Sequence, residues 1–482
     1  MADFFTTING FLETILFFDI LFGSVEGAGI PFLVAWLVAG GVYITLITKF
    51  ISLRSFKHSF QIIQGKYRTK DDKGQISPFG ALTTALSATV GLGNIAGVAL
   101  AVSIGGPGAA FWMMVAGFLG MSLKFAEVTL SIEHREFLKD GSIMGGAMEY
   151  LSKGLANKGM PRFGKILAVT FAFLMIGGAI GGGNIFQVSQ AYGAISQEVS
   201  FFAENPLVFG FILAGLTGVV IIGGVTRIAS ITERLVPIMV VIYVSASLYI
   251  LGTHFSLLDD AIVLIISEAF NSSAVYGGVL GAMVQGFQRA VFSSEAGIGS
   301  SPVAHAPVKT KYAIRQGMVA MYEPFIDTVV VCTMTALVIV ITGVYTPDGP
   351  YQALIDAKAG AALTAAAYGT VISWFPIILS ISVTLFAFST MISWSYYGER
   401  AWVYLFGPRF SIIYKLMFLS LSVVATVVSA GIMVDFSFML MLAMALPNIF
   451  GLLILSGDVK ILLKEYMDKL NSGELDAEAL RD

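Results

Sequence analysis

The sequence predicts an all-α membrane protein that crosses the bilayer many times, and two observations support this fold class. Of its 482 residues, 56% are apolar and only 12% are charged, which is about half of the charged fraction of a soluble domain. The apolar residues also fall in blocks of about 20, the length that a helix needs to cross the hydrocarbon core. Because no water is present there to satisfy the backbone, such blocks are expected to be helices.

Eleven membrane-spanning helices are predicted from these blocks. They lie at residues 30–52, 78–104, 109–131, 163–197, 205–225, 232–252, 274–301, 317–343, 371–398, 411–430 and 436–456. Segment 4–24 is also apolar, but Glu13 and Asp19 interrupt it. We therefore expect it to lie at the membrane interface or partly buried in the protein, rather than to form a twelfth span.

The positions of the basic residues test this arrangement and orient it. With residues 1–29 placed outside, 25 of the 28 Lys and Arg residues fall in cytoplasmic loops or at the adjoining helix ends, and the exceptions are Lys124, Arg289 and Lys358. Loops on the cytoplasmic side of a membrane are enriched in Lys and Arg. The sequence therefore predicts a multi-pass protein of the cell (inner) membrane, with its N-terminus outside and its C-terminus in the cytoplasm.

After the first span, the remaining ten divide into two units of five with similar loop lengths. In each unit a long loop follows the second span, at 132–162 and 344–370, and short loops follow the third and fourth. An odd number of spans inverts the second unit relative to the first, as in many secondary transporters whose site lies between the repeats. The predicted regions are an N-terminal segment with the leading helix, the first repeat, an external loop, the second repeat and a cytoplasmic tail, at 1–77, 78–252, 253–273, 274–456 and 457–482.

The first repeat is expected to begin with an interrupted helix. Gly91 and Gly93 lie at the centre of this span with Asn94 beside them, and each glycine costs about 1 kcal/mol in a helix interior relative to alanine. Unwound backbone would offer N–H groups to a carboxylate, and carbonyl groups to an ammonium group or a sodium ion. Close helix packing through small residues is the alternative explanation of the glycines.

The second repeat is expected to begin with a similar interruption, since the centre of its first span falls near Gly286 and Phe287. The same span carries Arg289 and Glu295, and a charge at membrane depth is costly unless it is paired or hydrated. Four more ionisable residues in other spans raise the same question, and the sequence does not identify their partners: Lys124, Glu127, Glu323 and Asp327.

Two further spans carry polar side chains at helical spacing. Asn184 and Gln187 lie one turn apart and can share a face. Ser389 and Thr390 offer two adjacent hydroxyl groups, and the carbonyl group of Phe386 lies on the same side of the helix. These oxygens could form part of the coordination shell of a hard cation, although such hydroxyl groups often bond back to their own helix.

Several motifs together resemble those of the alanine/glycine:cation symporters, also called sodium:alanine symporters. The resemblance extends from about residue 30 to 460 and implies the inverted five-plus-five fold of the bacterial leucine transporter with one additional leading helix. Its motifs are Ala-Thr-Val-Gly-Leu-Gly-Asn-Ile-Ala-Gly-Val at 88–98, Gly-Gly-Pro-Gly-Ala at 105–109, Phe-Ser-Ser-Glu-Ala-Gly-Ile-Gly-Ser at 292–300, Ala-His-Ala at 304–306, Phe-Ser-Thr at 388–390 and Trp-Ser-Tyr-Tyr-Gly-Glu at 394–399.

The resemblance also implies two sets of site residues. The implied substrate-binding residues are Gly91, Gly93, Asn94, Asn184, Phe287, Val291, Thr390 and Trp394. The implied sodium site uses the carbonyl groups of Ser87, Val90 and Phe386 and the hydroxyl groups of Ser389 and Thr390. Because Thr390 belongs to both sets, one of its two assignments is open.

The function that the resemblance implies is sodium-coupled uptake of small neutral amino acids by alternating access. Alanine and glycine are the expected substrates, serine is a further candidate, Na+ is the coupling ion, and a monomer in membrane lipid should suffice. A proton-coupled symporter of the same fold is the alternative. A membrane-embedded enzyme is disfavoured because the four histidines are scattered in the sequence, and nothing in the composition favours nucleic-acid binding.

Overall fold

The computed structural model describes residues 10, 13–20, 22, 29–139, 141–271, 278–427 and 438–479. Regular structure in this part of the chain is helical, apart from a short antiparallel pair of strands, β1 Glu136–Phe137 and β2 Ile143–Met144. Most of the predicted segment 4–24 and the predicted loop at 431–435 lie outside the described residues.

The leading helix, α1 Phe32–Ile47, begins directly after Pro31, which has φ −58° and lacks a backbone N–H group. The short helix Ile51–Arg54 and helix α2 Phe56–Ile63 follow it on the way to the first repeat. Helix α1 packs against the second and the last long helices of the core, so this leading helix is part of the helical bundle.

The elements of the first repeat follow in a characteristic order: a broken helix, a long helix, a connection with short helices, a long helix, a shorter helix and another long helix. They are α3 Pro78–Thr89, α4 Gly93–Gly105, α5 Gly108–Glu133, the turns Ala147–Glu149, Tyr150–Gly154 and Leu155–Asn157, α6 Pro161–Glu198, the short helix Ser200–Glu204, α7 Pro206–Ile221 and α8 Gly224–Thr253. Helix α9 Phe255–Ala269 then occupies most of the region predicted as an external loop.

The second repeat has the same order of elements, which supports the five-plus-five arrangement. They are α10 Gly278–Ser294, α11 Pro302–His305, α12 Ala313–Thr342, the short helix Gln352–Asp356, α13 Gly360–Gly369, α14 Phe375–Phe406, the 3-10 turn Pro408–Phe410, α15 Ser411–Val424 and α16 Phe438–Asn471. The described chain ends after the short helix Glu474–Glu478.

By length and composition, six of the described helices can cross a membrane, or seven if the bent pair of α3 and α4 counts as one span. They are α5, α6, α8, α12, α14 and α16. The predicted count of eleven is not confirmed, because four predicted spans fall on helices with only 14 to 17 described residues, namely α1, α7, α10 and α15. The outer faces of the bundle expose many large apolar side chains, as a surface in contact with lipid does.

The first predicted interruption is confirmed, since α3 and α4 are bent by 48° at the glycines. Val90 leaves the helical conformation with ψ 88°. The glycines also serve close packing: a Cβ atom on Gly91 would lie 2.5 Å from Oγ1 of Thr390, and one on Gly93 would lie 2.9 Å from Cα of Ser293. Both explanations of these glycines, local unwinding of the helix and close packing, therefore apply.

The second interruption does not lie near Gly286 and Phe287, where the sequence placed it, because α10 continues through both residues. It lies between α10 and α11, where Gly297 and Gly299 have φ values of 87° and 77° that favour glycine. Gly286 instead allows α5 to approach α10, since a Cβ atom on it would lie 2.6 Å from the carbonyl oxygen of Ala109.

Helix α14 lies at the centre of the bundle, in contact with α3, α6, α8 and α13. Where it crosses α6, the backbone of α6 forms a π-helical segment, Gly181–Ile185, a feature that is frequent at functional sites. A Cβ atom on Gly183 would lie 2.3 Å from Cβ of Trp394. This crossing brings the first and second repeats together around the interrupted helices.

We predict that Gly286→Ala destabilises the protein by about 1–3 kcal/mol, because the added methyl group meets backbone atoms of α5 that cannot move aside. The matched control is Gly215→Ala in α7, where nothing lies within 4 Å of the added Cβ atom. Apparent melting temperatures of the detergent-purified variants measure the difference. Equal melting temperatures for the two variants would contradict the proposed packing.

Candidate functional site

A small internal cavity of about 10 Å³, room for about one water molecule, lies between the two interrupted helices and the crossing of α6 with α14. Its walls include Gly91 and Gly93 from the first interruption, Gln187 of α6, Glu295 after α10 and Trp394 of α14. Both repeats therefore contribute residues to the same small buried cavity.

The side chain of Asn94 holds the first interruption in place. Its Oδ1 atom accepts a hydrogen bond of 2.8 Å from the N–H group of Gly91, and its Nδ2 group donates to the carbonyl oxygen and Oδ1 of Asp327 at 3.0 and 2.6 Å. Ser293 donates to the other carboxylate oxygen of Asp327 at 2.9 Å. The first N–H groups of a helix lack partners within that helix, so the start of α4 at Gly93 is suited to an anion.

The oxygen atoms predicted to bind sodium meet where α3 crosses α14. The hydroxyl group of Ser389 donates to the carbonyl oxygens of Phe386 and Ser87, at 2.9 and 3.4 Å. Thr390 donates to the carbonyl oxygen of Ser87 at 3.2 Å, and the hydroxyl group of Ser87 donates to the carbonyl oxygen of Ser389 at 2.6 Å. Tertiary structure thus joins four of the five predicted residues, and the fifth, Val90, lies at the adjoining interruption.

This cluster fits the chemistry of a sodium ion. Its donors are neutral carbonyl and hydroxyl oxygens, and hard cations take oxygen ligands. The four clustered residues are at most 1% exposed, and ψ of 88° at Val90 turns its carbonyl group away from the helical direction. The bond from Ser389 to Phe386, three residues back, is the ordinary helical alternative, but the bonds to Ser87 cross between helices.

Trp394 forms one wall of the cavity and is only 1% exposed. Its Nε1 atom donates a hydrogen bond of 2.8 Å to Oε1 of Glu295. Its side chain lies across Gly183, while Met441 of α16 lies over the neighbouring Gly182 and also lines the cavity. The glycines of α6 therefore make room for the large ring at this position.

Several residues implied by the resemblance lie outside the cavity wall. Asn184 turns toward α15, where it donates to the carbonyl oxygen of Phe418 at 2.6 Å and accepts from Ser422 at 2.8 Å. Thr390 faces the carbonyl oxygen of Ser87, which favours its place in the cation set over its place in the substrate set. The substrate-binding role of Asn184 remains a prediction.

The aromatic wall is also displaced from its predicted position on α10. Phe292 lines the cavity, whereas the ring of Phe287 lies 6.3 Å from that of Trp112. Val291 is buried in the core but is not part of the cavity wall. Adjacent helical residues differ by about 100° in direction, so the sequence alone could not choose between positions 291 and 292.

Besides Thr89, whose hydroxyl group bonds back to the carbonyl oxygen of Ala85 on its own helix, Gln187 and Glu295 are the polar side chains in the wall that the implied substrate set omitted. The Oε1 atom of Gln187 is buried and has no hydrogen-bond partner among the described residues. Both residues carried a signal in the sequence, since Gln187 lies one turn from Asn184 and Glu295 is charged at membrane depth. Their direction toward the cavity depended on the tertiary structure.

The ionisable residues whose partners the sequence left open form one buried network. Lys124 contacts Glu323 at 3.1 Å and donates to Ser301 at 2.6 Å. The Nε2 atom of His305 contacts the other carboxylate oxygen of Glu323, and Lys124 also interacts electrostatically with Glu127 and Glu295. The network therefore extends from α5 and α12 to the cavity wall.

Arg135 joins two segments of the chain on the side that the charge distribution predicts to be cytoplasmic. Its guanidinium group donates to the carbonyl oxygens of Ala306 and Val308 at 2.9 and 2.7 Å, and to those of Lys73 and Thr310 at 3.0 Å. It thereby connects the segment before α3 to the segment after α11.

Comparisons with known proteins show which family this chain resembles. The family model described as the sodium:alanine symporter family matches residues 18–479. The sodium/alanine symporter AgcS of Methanococcus maripaludis is 40% identical over 89% of this chain and 92% of its own length. The probable sodium/glutamine symporter GlnT of Bacillus subtilis is 31% identical over 92% of this chain and 89% of its own.

Two further similarities concern another relative and a solved structure. The putative sodium/proton-dependent alanine carrier protein YrbD of Bacillus subtilis is 31% identical over 98% of this chain and 94% of its own. The crystal structure of MhsT in complex with L-phenylalanine aligns with a TM-score of 0.49 at 16% identity, covering 85% of this chain and 100% of that one. From the family match over residues 18–479 and the 40% identity to the first of these sequence relatives, the chain belongs to the sodium:alanine symporter family.

Proposed function

We propose that this protein is a sodium-coupled symporter that brings a small neutral amino acid, such as alanine or glycine, into the cell by alternating access. The observation that carries this proposal is the pairing of a closed cavity with a cluster of buried neutral oxygens. The cavity lies at Gly91 and Trp394, and the oxygen cluster lies at Ser87 and Thr390. Thr390 and Trp394 are one turn apart on α14, so ion and substrate can act on the same helix.

The carboxylate group and the side chain of an amino acid would each have a complementary part of the cavity wall. The N–H groups at the start of α4 suit the carboxylate group, and the wall formed by Phe292 and Trp394 limits the side chain. A large ring leaves room for hydrogen, methyl or hydroxymethyl, so serine is a third candidate substrate. Two relatives are named as sodium/alanine and sodium/glutamine symporters, and these names support a sodium-coupled amino acid carrier.

A proton-coupled symporter of the same fold is the second candidate. The buried carboxyl groups of Glu127, Glu295 and Glu323 favour it, as does the relative whose name includes sodium and proton dependence. Uptake of labelled alanine into proteoliposomes at fixed pH, with sodium or with choline outside, separates the two candidates. Uptake that persists without sodium and follows an imposed pH gradient would favour the proton.

The proposed setting is the cell (inner) membrane, with the N-terminus outside and the C-terminus in the cytoplasm. This orientation rests on the 25 of 28 basic residues that it places inside. The cavity and the oxygen cluster lie within one chain, so a single subunit in lipid should suffice for transport. Opening to the cytoplasm would require Arg135 to release the segments before α3 and after α11.

We predict that transport is electrogenic. A zwitterionic amino acid has no net charge, so the coupled sodium ion brings the only charge that moves. A potential of 100 mV supplies about 2.3 kcal/mol per charge, and a tenfold sodium gradient supplies about 1.4 kcal/mol more. Together, the potential and the sodium gradient allow the amino acid to accumulate in the cell roughly several-hundred-fold at one-to-one coupling. Uptake that does not change when valinomycin and potassium clamp the potential to zero would contradict this prediction.

We predict that the double variant Ser389→Ala and Thr390→Ala raises the sodium concentration for half-maximal uptake by at least about tenfold, because two ligands are lost. The matched control is Ser395→Ala with Thr384→Ala on the same helix, whose hydroxyl groups bond only to the preceding turn. Gln187→Ala, which changes the cavity wall, should mainly raise the Km for alanine. An unchanged sodium requirement in the first variant, with normal insertion, would exclude this cation site.

We predict that Trp394→Ala weakens alanine uptake, because apolar contact is lost, and increases the relative uptake of leucine and methionine by about tenfold. Competition of labelled alanine uptake by a series from glycine to leucine measures this. The matched control is Trp402→Ala on the same helix, whose ring packs against Phe406 and Tyr414 away from the cavity. If Trp394→Ala leaves the rank order of the competing amino acids unchanged, this ring does not select substrates by size.

A further inference from the structure

Glu295 occupies an unusual place in the cavity wall. It is the first residue after α10, it is 1% exposed, and its φ is 57°. A residue other than glycine rarely adopts this left-handed conformation, and such outliers cluster at ligand-binding sites. The unwound backbone directs its carboxyl group into the same cavity that Gln187 and Trp394 line.

Two donors already fix the orientation of this carboxyl group. Trp394 donates to Oε1 at 2.8 Å, and the hydroxyl group of Ser300 donates to Oε2. An ionised carboxylate has about four acceptor positions, so each oxygen can accept a further hydrogen bond. The group is therefore pre-positioned, with acceptor capacity that remains available to a molecule in the cavity.

The charges around Glu295 leave it without a cation of its own. From α5, Lys124 makes its close ion pair with Glu323 of α12 rather than with Glu295. His305 of α11 has Nδ1 within 2.7 Å of the side-chain amide of Gln316, and its Nε2 atom faces Glu323 rather than Glu295.

Among the described residues, the other charged and titratable groups near Glu295 have different neighbours. Glu127 of α5 shares the network and accepts a hydrogen bond from Asn448 of α16 at 2.7 Å, while Tyr397 of α14 presents a neutral hydroxyl group. On α10 itself, Arg289 lies over the ring of Phe438 at 4.7 Å. One ammonium group thus serves three buried carboxyl groups, and a buried carboxylate without a counter-ion is strongly unfavourable.

We propose that Glu295 is the counter-ion for the α-ammonium group of the transported amino acid, and that a proton competes with this group for the carboxylate. This inference rests on the proposed function and extends it to a substrate-binding residue. The substrate carboxylate faces the N–H groups at the start of α4, and its ammonium group faces Glu295. A competing proton binds from, and returns to, the aqueous side to which the cavity is open, so it is not carried across the membrane.

Gln187 completes this ammonium site. Its Oε1 atom is buried, lines the cavity and has no hydrogen-bond partner among the described residues. An ammonium group has three N–H donors, which can be shared between Glu295, Gln187 and a backbone carbonyl group of the interrupted α3. The bond from Trp394 to Glu295 also couples the residue that recognises the ammonium group to the residue that limits side-chain size.

The first test is Glu295→Gln, which keeps the size of the side chain and an acceptor for Trp394 but removes the charge. At saturating sodium we expect the Km for alanine to rise by about ten- to hundredfold, the worth of a charge-assisted hydrogen bond. In the wild type, the Km should rise as pH falls from about pH 8 to about pH 5, because a proton competes with the ammonium group. This pH dependence should vanish in Glu295→Gln.

A second measurement distinguishes a Glu295 that binds the ammonium group from a Glu295 that only positions Trp394. L-Lactate has a hydroxyl group in place of the ammonium group of alanine, so the wild type should bind it far more weakly. The ratio of inhibition constants for lactate and alanine should fall by at least about tenfold in Glu295→Gln. A supporting role alone would change the preference for side-chain size and leave this ratio unchanged.

The matched control is Glu399→Gln on α14, where a buried carboxylate is paired with Lys415 at 3.2 Å outside the cavity. It should keep the alanine Km, its pH dependence and the lactate ratio. Wild-type protein that shows no sodium-driven alanine uptake would refute the proposed function itself. With wild-type uptake present, an unchanged Km, pH profile and ratio in Glu295→Gln would overturn this inference alone. If that variant does not fold, a wild-type alanine Km that is independent of pH over this range overturns it.

Discussion

The structure depends on one constraint: a helix that is interrupted inside a membrane must find other partners for its freed backbone groups. At the first interruption, Asn94 accepts from the N–H group of Gly91 and joins it to Asp327 on α12. At the second, Asn448 of α16 donates to the carbonyl oxygen of Gly297 at 2.8 Å. Asp327 of α12 therefore anchors the residue that holds the first interruption, Asn448 of α16 holds the second directly, and the cavity exists because these side chains stabilise unwound backbone next to it.

Close approach of helices is the second requirement of the site, and it explains glycines that are not at the interruptions. The large ring of Trp394 lies against Gly183, and α10 lies against α5 at Gly286, in each case with no room for a Cβ atom. In a membrane, helix association relies on such packing rather than on the hydrophobic effect. The same packing that holds the two repeats together thus sets the size of the cavity, so stability and substrate size are linked through α6 and α14.

The buried ionisable residues form a charge network that reaches the cavity wall, and this arrangement connects ion balance to substrate binding. Lys124 and Glu323 form the balanced pair at its centre, while Glu295 faces the cavity without such a pair. The oxygen cluster at Ser87 lies on another side of the same cavity, where α3 meets α14. In the proposed mechanism, the sodium ion lies near neutral oxygens and the ammonium group lies near a carboxylate, and this separation would allow the two to be recognised independently.

The sequence by itself determined the features that depend on local composition: the helical membrane class, the first interruption at Gly91, and the adjacent hydroxyl groups of Ser389 and Thr390. These are properties of a few neighbouring residues, since glycine weakens a helix and a hydroxyl pair stays adjacent in any fold. Tertiary structure decided which side chains face the cavity, turning Asn184 toward α15 and leaving Gln187 in the wall. It also placed the second interruption and paired the buried charges, because these outcomes depend on contacts between distant helices, such as Lys124 with Glu323 and Gly297 with Asn448, which periodicity and spacing do not specify.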